Sequence, residues 1–416
     1  MRTPIMVLLA AAIGWLAPVY AQQRLVGKVV RAENDEPIAG ASVFINNTTY
    51  GTSSANNGDF ELPAIATGTY EIIVSAVGYH TYAMPIDLSG RQPAFLHIKL
   101  EAKQTMLEEV EVVAFEANGW KQWGRLFLEV FIGTSPNADK TLLLNPEVLR
   151  FRHYRDEGYL EAIATAPLVI KNRSLGYTVE YVLENFRVDF RNRINQYAGY
   201  PHFIEMAGGA RSRRVYAKRR KATYQTSLMH FMRSLYQGTL SEDGFEVRRM
   251  QRKPNEEKRR VRTLQRTIYK SVWDSTRRMH ISVLADPVVY TEDSLAYFRE
   301  IMAQDDELVT VFPQLLTVDS LLVDSLDGRK KMVFEDYLHV QNTRLKEEPG
   351  YLRHFNEVRK PGPQTSMLLL YDNPYIWIER NGSYFPPQSL YTGWYWAWCD
   401  KIADLLPLDY NPPTVD

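Results

Sequence analysis

The sequence predicts a multidomain chain, an N-terminal antiparallel β-sandwich followed by an α+β domain. Three observations predict it. Between residues 24 and 114, apolar and polar residues alternate in short runs punctuated by glycine and asparagine turns. An amphipathic stretch, WKQWGRLFLEVFIG, follows at 120–133, and beyond it strand-like runs mix with further helical patterns. With 416 residues, 45% hydrophobic and 24% charged, the chain has material for two or three domains of roughly 100 to 200 residues each.

The first segment, MRTPIMVLLAAAIGWLAPVYAQQ, reads as a secretory signal peptide over residues 1–21. Arg2 supplies the charge, Ile5 to Ala17 the apolar run, and Val19-Tyr20-Ala21 the cut site. The run falls short of the about 20 apolar residues a spanning helix needs, and no later stretch reaches that length. Cys399 is the single cysteine, so neither a disulfide nor lipid attachment behind the signal is expected. The expected location is therefore the periplasm, or the outer-membrane or cell surface, with no transmembrane segment in the mature chain. Lys plus Arg and Asp plus Glu each number 49, so net charge names no partner and any charge argument is local.

Within 24–114 the strands read LVGKVVRA, ASVFINN, YGTSSANNGDFELPAI, GTYEIIVSAVGYHTY, PAFLHIKLEA and EEVEVVAF, with ENDEPIAG as a turn. Asn57-Gly58 and Gly68 make turns, while Tyr70, Ile72 and Val74 share one buried face. Six or seven strands at this spacing predict a sandwich. The helix at 120–133 sets Trp120, Trp123, Phe127 and Phe131 on one face and stops at Gly133. LLLNPEVLRFRHY, YLEAIATAPLVIKN and SLGYTVEYVLENFRVDF then read as strands, with residues 172–176 as a connection. The α+β domain is expected to run from 116 to 416.

GKVV (27–30), PIAGASV (37–43), GTSSANNGDFEL (51–62) and GTYEIIVSAVGY (68–79) resemble the carboxypeptidase regulatory-like domain, a prealbumin-like or Ig-like sandwich. Ala55 departs from the pattern, which often carries Asp shortly before the Asn-Gly turn. The resemblance implies a scaffold rather than a peptidase. In metallocarboxypeptidases the module trails a zinc enzyme, whereas here it leads the chain, as in many TonB-dependent outer-membrane receptors. LEEVEVVA (107–114) resembles the strand that closes that extension. Residues 115–416 are too few for a plug and barrel. NPEVLRF (145–151), PLVIKNRSLGY (167–177) and SLMHFMRSLY (227–236) resemble an uncharacterised companion region in Gram-negative envelope proteins, which implies an architecture and no activity.

Catalytic signals are weak. His202 and Glu205 have the H-x-x-E spacing of carboxypeptidase zinc ligands, with His339 downstream as a third, but His354 and Glu357 repeat the spacing, and His202 and Glu205 also read as ordinary strand or loop residues beside Tyr200. H-E-x-x-H, G-x-S-x-G, G-x-G-x-x-G and a phosphate loop do not occur. Cys399 reads as a buried small hydrophobe. The expectation is a protein that is not an enzyme and holds no cofactor or metal, with a zinc hydrolase as the remote alternative.

Between Arg211 and Lys270, 18 Lys or Arg face five acidic residues. RSRRVYAKRRKATYQTSLMHFMRSLY (211–236) reads as one helix, basic at first, whose later residues Leu228, Phe231, Met232 and Leu235 share an apolar face. QRKPNEEKRRVRTLQR (251–266) is a second basic segment. Export argues against nucleic acid, which leaves an envelope protein, a glycan or an anionic lipid as partner. The bland alternative is local neutralisation by residues such as Asp305, Asp306 and Glu307. SMLLLYDNPYIWIERNGSYFPPQ (366–388) predicts two strands joined at Asn381-Gly382. Trp394, Trp396 and Trp398 recur two apart and then the pattern turns helical; they either fill a core or form a platform for sugar rings. The candidate binding residues are thus Arg211, Arg213, Arg214, Lys218, Arg219, Arg220, Lys221, Trp394, Trp396 and Trp398. The predicted function is a non-enzymatic envelope protein whose sandwich docks or presents the larger domain, with glycan or lipopolysaccharide binding as the alternative.

Overall fold

The computed structural model describes residues 23–66, 68–88, 95–103, 114–274, 276–284, 291–325 and 329–413. The expected signal peptide and all but the last residue of LEEVEVVA lie outside them. The chain divides into two compact units, Met1–Thr223 with Ile402–Asp416, and Tyr224–Lys401.

The first unit opens with the expected sandwich. Its strands are β1 (Gln23–Arg31), β2 (Ser42–Ile45), β3 (Gly51–Ser53), β4 (Asp59–Ile65), β5 (Thr69–Ser75), β6 (Tyr82–Asp87) and β7 (Leu96–Leu100). One sheet has the order β4-β1-β7 and the other β3-β2-β5-β6. Inward residues Leu25, Val29, Val43, Leu62, Ile72, Val74 and Ile98 fill the space between them. One pairing departs from the antiparallel expectation: β1 and β7 are parallel. The chain changes sheet between β6 and β7, so no tight hairpin dictates the direction in which β7 enters.

Gly58 has φ +82°, and a Cβ there would lie 2.5 Å from the Val29 carbonyl oxygen, so the Asn-Gly turn needs its glycine. The missing Asp at position 55 is compensated by backbone. Gly58 N–H donates to Ala55 O (2.8 Å), Ala55 N–H to Asp59 O (2.8 Å), and the Asn57 amide oxygen accepts the Asp59 N–H (3.1 Å).

Helix α1 (Gly119–Phe131) follows as expected, closed by Gly133 at φ +98°. It lies on a six-stranded antiparallel sheet of β8 (Thr141–Leu143), β9 (Leu149–Tyr154), β10 (Tyr159–Ala164), β11 (Leu168–Asn172), β12 (Tyr177–Asp189) and β13 (Ile194–Glu205). Phe127 packs on Phe151 and Phe186, and Phe131 on Tyr181 and Tyr197. Strand β12 carries β13 along its whole length on one edge, and β11 then β10 on the other.

The expected single helix over 211–236 is two: α2 (Ala210–Thr226) and α3 (Leu228–Gln237). Ser227 breaks it. Its backbone is extended and its hydroxyl accepts the His230 N–H (3.2 Å), an N-cap that competes successfully with helix continuation. The apolar face Leu228, Phe231, Met232 and Leu235 is buried as expected.

The second unit contains β14 (Phe245–Pro254), α4 (Glu256–Ile268), β15 (Tyr269–Asp274), β16 (Met279–Leu284), α5 (Glu292–Ala303), β17 (Glu307–Leu315), α6 (Val318–Leu321), β18 (Leu322–Asp324), β19 (Lys330–Val333), β20 (Tyr337–Lys346), α7 (Pro349–His354), β21 (Pro363–Leu370), β22 (Tyr375–Ile378), β23 (Tyr384–Phe385), β24 (Leu390–Trp394) and α8 (Tyr395–Cys399). Its main sheet has the order β17-β14-β20-β21-β24, and β18-β19-β22-β23 form another. The Asn381-Gly382 turn joins β22 to β23, with Gly382 at φ +87°. Strand β21, expected in that hairpin, pairs instead with β20 and β24. The insertion of Asp372-Asn373-Pro374 explains the error, since Asp372 at φ +53° turns the chain out of the sheet.

Candidate functional site

Within the first unit, the sandwich meets the six-stranded sheet along a seam built from an ordinarily solvated surface. Phe44 of β2 and Ile73 of β5 are cross-strand partners on the outer face of the sandwich. They are fully buried there, against Val182 of β12 and Tyr200 of β13. Each such side chain contributes about 1.5–3 kcal/mol when removed from water. His202 of β13 stacks on Phe44 with centroids 5.1 Å apart, and only glycine fits opposite, because a Cβ on Gly51 would lie 2.1 Å from His202 Nε2.

Backbone bonds reinforce the apolar contact. The turn after β2 covers the end of β13: Asn47 N–H donates to Pro201 O (2.8 Å) and Phe203 N–H to Thr48 O (2.9 Å). A strand end that would otherwise expose unpaired amides is thus occupied. The C-terminal segment adds a third strap. Leu408 N–H donates to Asn47 O (2.7 Å), while the Asp409 carboxylate accepts the Thr49 N–H (2.9 Å) and the Thr49 hydroxyl.

The seam also accounts for the H-x-x-E spacing. His202 and Glu205 lie on a strand, where residues three apart point to opposite faces, so they cannot converge on one ion. His202 faces Glu180 across the register, Nδ1 to Oε2 3.6 Å, and holds that carboxyl below its ordinary range. Glu205 instead pairs with Arg220 at 2.6 Å. Among the described residues no three His, Cys, Asp or Glu side chains gather in a way that would hold a metal ion.

The basic tract separates into different populations. Arg220 donates to Leu175 O (2.7 Å) and Gly176 O (3.2 Å), and its guanidinium lies 3.8 Å from the Tyr177 ring centroid. Burial pushes the Tyr177 hydroxyl well up. Arg219 donates to Ser174 O (3.4 Å), so both cap the 172–176 connection. Further along, Arg249 pairs with Asp336 (2.7 Å), Arg252 with Glu307, and Lys258 and Arg262 with Asp306 (3.0 and 2.6 Å). Local neutralisation by Asp306 and Glu307 is what this segment does.

Arg211, Arg213, Arg214 and Lys218 differ. They are exposed on the first turns of α2, Lys221 is half-buried beyond them, and none of the five has a carboxylate within 4 Å among the described residues. The first turn of α2 contains no acidic residue. Cations at that end oppose the helix dipole, so their placement does not stabilise the helix.

The tryptophans also separate. The chain turns into α8 at Tyr395, which destroys the strand-like alternation; Trp396 and Trp398 are 4% and 3% exposed and belong to the core. Trp396 Nε1 donates to Thr226 O (3.0 Å). Burial removes both from any surface platform. Trp394 is half-buried, with φ +59° and ψ −121°. That conformation costs roughly 1–3 kcal/mol for a residue other than glycine.

With this geometry in hand, the comparisons with known proteins concern chiefly the first module. Residues 25–112 match the model of the CarboxypepD_reg-like domain. The sandwich is a CarboxypepD_reg-like domain. The chain is also similar to the TonB-dependent receptor SusC of Bacteroides thetaiotaomicron, 30% identical over 111 residues, 27% of this chain and 10% of the receptor. It thus spans a tenth of that curated relative's length. Among solved structures it is similar to a mutant type II cohesin–X-dockerin complex from Acetivibrio cellulolyticus, at 26% identity over 19% of this chain and 57% of that one, with a TM-score of 0.17. It is also similar to a protein from Bacteroides fragilis described as membrane-associated and of unknown function, at 9% identity over 87% of this chain and 94% of that one, with a TM-score of 0.16. Likenesses at these TM-scores carry no argument. No helix among the described residues is long and apolar enough to cross a membrane.

The outer face of the CarboxypepD_reg-like domain was missed by period-2 reasoning. The signal was present: Ile72-Ile73-Val74 and Val43-Phe44-Ile45 are continuous apolar runs, the mark of strands buried on both faces.

Proposed function

We propose that this is a non-enzymatic, envelope-associated protein in which the CarboxypepD_reg-like domain docks on the six-stranded sheet and holds the remainder of the chain toward a cell-surface component. The apolar seam of Phe44, Ile73, Val182 and Tyr200, locked by the Thr49–Asp409 strap, carries this reading, because a freely tethered module would keep that face polar. Similarity to part of a TonB-dependent receptor supports an envelope setting, as does the signal-like segment at 1–21. The divergence of His202 and Glu205 supports a scaffold over a zinc hydrolase.

The test is fractionation and in-cell cross-linking of the full chain in a Gram-negative host. Wild type is expected in the envelope fraction with a reproducible cross-linked partner. The pair Thr49→Ala and Asp409→Asn, with Ile73→Asp as the stronger disruption, should abolish that cross-link. An unchanged cross-link in all of these variants, recovery of wild type in the cytosol, or stoichiometric zinc in the purified protein would each sink the proposal.

A second reading, binding of lipopolysaccharide or another acidic surface, is favoured by one observation: the exposed cations Arg211, Arg213, Arg214 and Lys218 on α2, which have no carboxylate in reach among the described residues.

A further inference from the structure

In the unit Tyr224–Lys401, a cleft of about 370 Å³ opens beside α7 and the ends of β20 and β24. Glu347, Tyr351, Glu357, Arg359, Thr365 and Trp394 line it. Arg359 organises its polar wall. The guanidinium grips Glu347 with two bonds, 2.5 and 2.9 Å, and Glu357 with a third, 2.5 Å. Glu347 also accepts the Gly362 N–H at 2.9 Å. Its side chain is 6% exposed, whereas Arg359 and Glu357 stay open at 43% and 39%. The network is therefore rigid at its base and available at its rim.

Trp394 supplies an aromatic wall, and the chain holds it there against its backbone preference. On one side Trp394 is in register with Ser366 of β21. On the other, the Trp396 N–H donates to the Ser366 hydroxyl at 3.2 Å and its indole is fixed in the core. Non-glycine residues persist in such conformations when their surroundings over-determine them, and ligand clamps are where they cluster.

We propose that this cleft binds a neutral saccharide, with one pyranose ring against Trp394 and its hydroxyls donating to Glu357 and accepting from Arg359. A flat apolar wall opposite fixed donors and acceptors suits a molecule with apolar ring faces and an edge of hydroxyls. Charge disfavours an anionic competitor: two carboxylates already neutralise Arg359, so an anion meets a net negative trio. The volume lies at the low end of the roughly 300–1,000 Å³ usual for small-molecule sites, enough for one or two rings.

Purified full-length protein should be titrated with glucose, galactose, mannose, N-acetylglucosamine and their disaccharides, by calorimetry and tryptophan fluorescence. At least one is expected to bind saturably. Trp394→Gly should weaken it tenfold or more, and glycine's ease at φ +59° offsets part of the burial lost with the indole. Glu357→Gln should weaken it several-fold with an unchanged melt. Absence of saturable binding to every sugar, or binding unaltered in both variants, would overturn the assignment. Sugar affinity is read on purified chain and envelope association in cells, so either can fail without the other.

Discussion

The two halves of helix α2 carry the same kind of side chain in opposite circumstances. Arg219 and Arg220 turn inward, close three backbone carbonyls of the 174–176 turn and, in Arg220's case, cover the Tyr177 ring. Two turns earlier, Arg211, Arg213 and Arg214 face outward with no carboxylate in reach among the described residues, at the helix end where a positive charge is least welcome. Basic density is thus one feature of the sequence and two features of the molecule. The inner half works as a cap for the connection that leads into β12. The outer half makes no ion pair among the described residues, and it is the part on which the second reading, binding of an acidic surface, rests.

The sharpest way to break this contrast is Arg220→Ala. Its side chain is 14% exposed and makes charge-assisted bonds to Leu175 O, Gly176 O and Glu205. Removing it leaves the Leu175 carbonyl and the Glu205 carboxylate short of a donor, while Gly176 O keeps the Met206 N–H at 3.0 Å, so a loss of about 2–4 kcal/mol is expected in urea denaturation. Arg214→Ala in the same experiment should stay within about 0.5 kcal/mol of wild type. Equal losses in the two variants would show that inward and outward arginines are not distinct.

Acidification is the next largest effect, and within the tract it strikes the paired part. Arg260 and Tyr297 hold Glu257 down at about 2, and Lys258 with Arg262 hold Asp306 below the ordinary carboxylate range. A depressed carboxyl contributes stability that is complete above its unfolded value and lost as pH falls through the folded one. Thermal melts followed between pH 5 and 2 should therefore show falling stability. Asp306→Asn should flatten that slope, and at pH 7 it should free Lys258 and Arg262 and raise affinity for anionic vesicles. A slope that the substitution leaves intact would assign the acid sensitivity elsewhere.

Local rules carried most of the first unit. Turn chemistry at Asn57-Gly58, alternation at Tyr70, Ile72 and Val74, and the three-to-four spacing of Trp123, Phe127 and Phe131 each depend on neighbours close in sequence, so each could be read without coordinates. The helix break at Ser227 was equally local, but a long helical pattern outweighed a single capping hydroxyl. What could not be read is pairing across distance. Asp409 meets Thr49, and Asp306 meets Lys258 and Arg262, through contacts that only the folded chain creates. The Arg359 network lies within fifteen residues of sequence, yet nothing in EEPGYLRHFNEVRKPG marks it as a cleft. The tryptophan row left core and platform open because spacing alone does not fix burial; the backbone leaves the strand at Trp394, which puts Trp396 and Trp398 in the core.

The smallest effect on stability belongs to the outer half of α2, and it tests the anion reading directly. Replacing Arg211, Arg213, Arg214 and Lys218 together by Gln removes four exposed cations, three of them at the unfavourable end of the dipole. The melting curve should hold or rise slightly, by no more than about 0.5 kcal/mol. Binding to vesicles of lipopolysaccharide or anionic phospholipid should nevertheless disappear at low salt, while wild type binds and is released as the salt rises and the Debye length contracts from about 30 Å at 0.01 M to about 8 Å at 0.15 M. Stability and binding then respond in opposite senses to one substitution. A variant that loses both would mean that these cations hold α2 in place after all, and one that loses neither would leave the basic face a solvated surface without a partner.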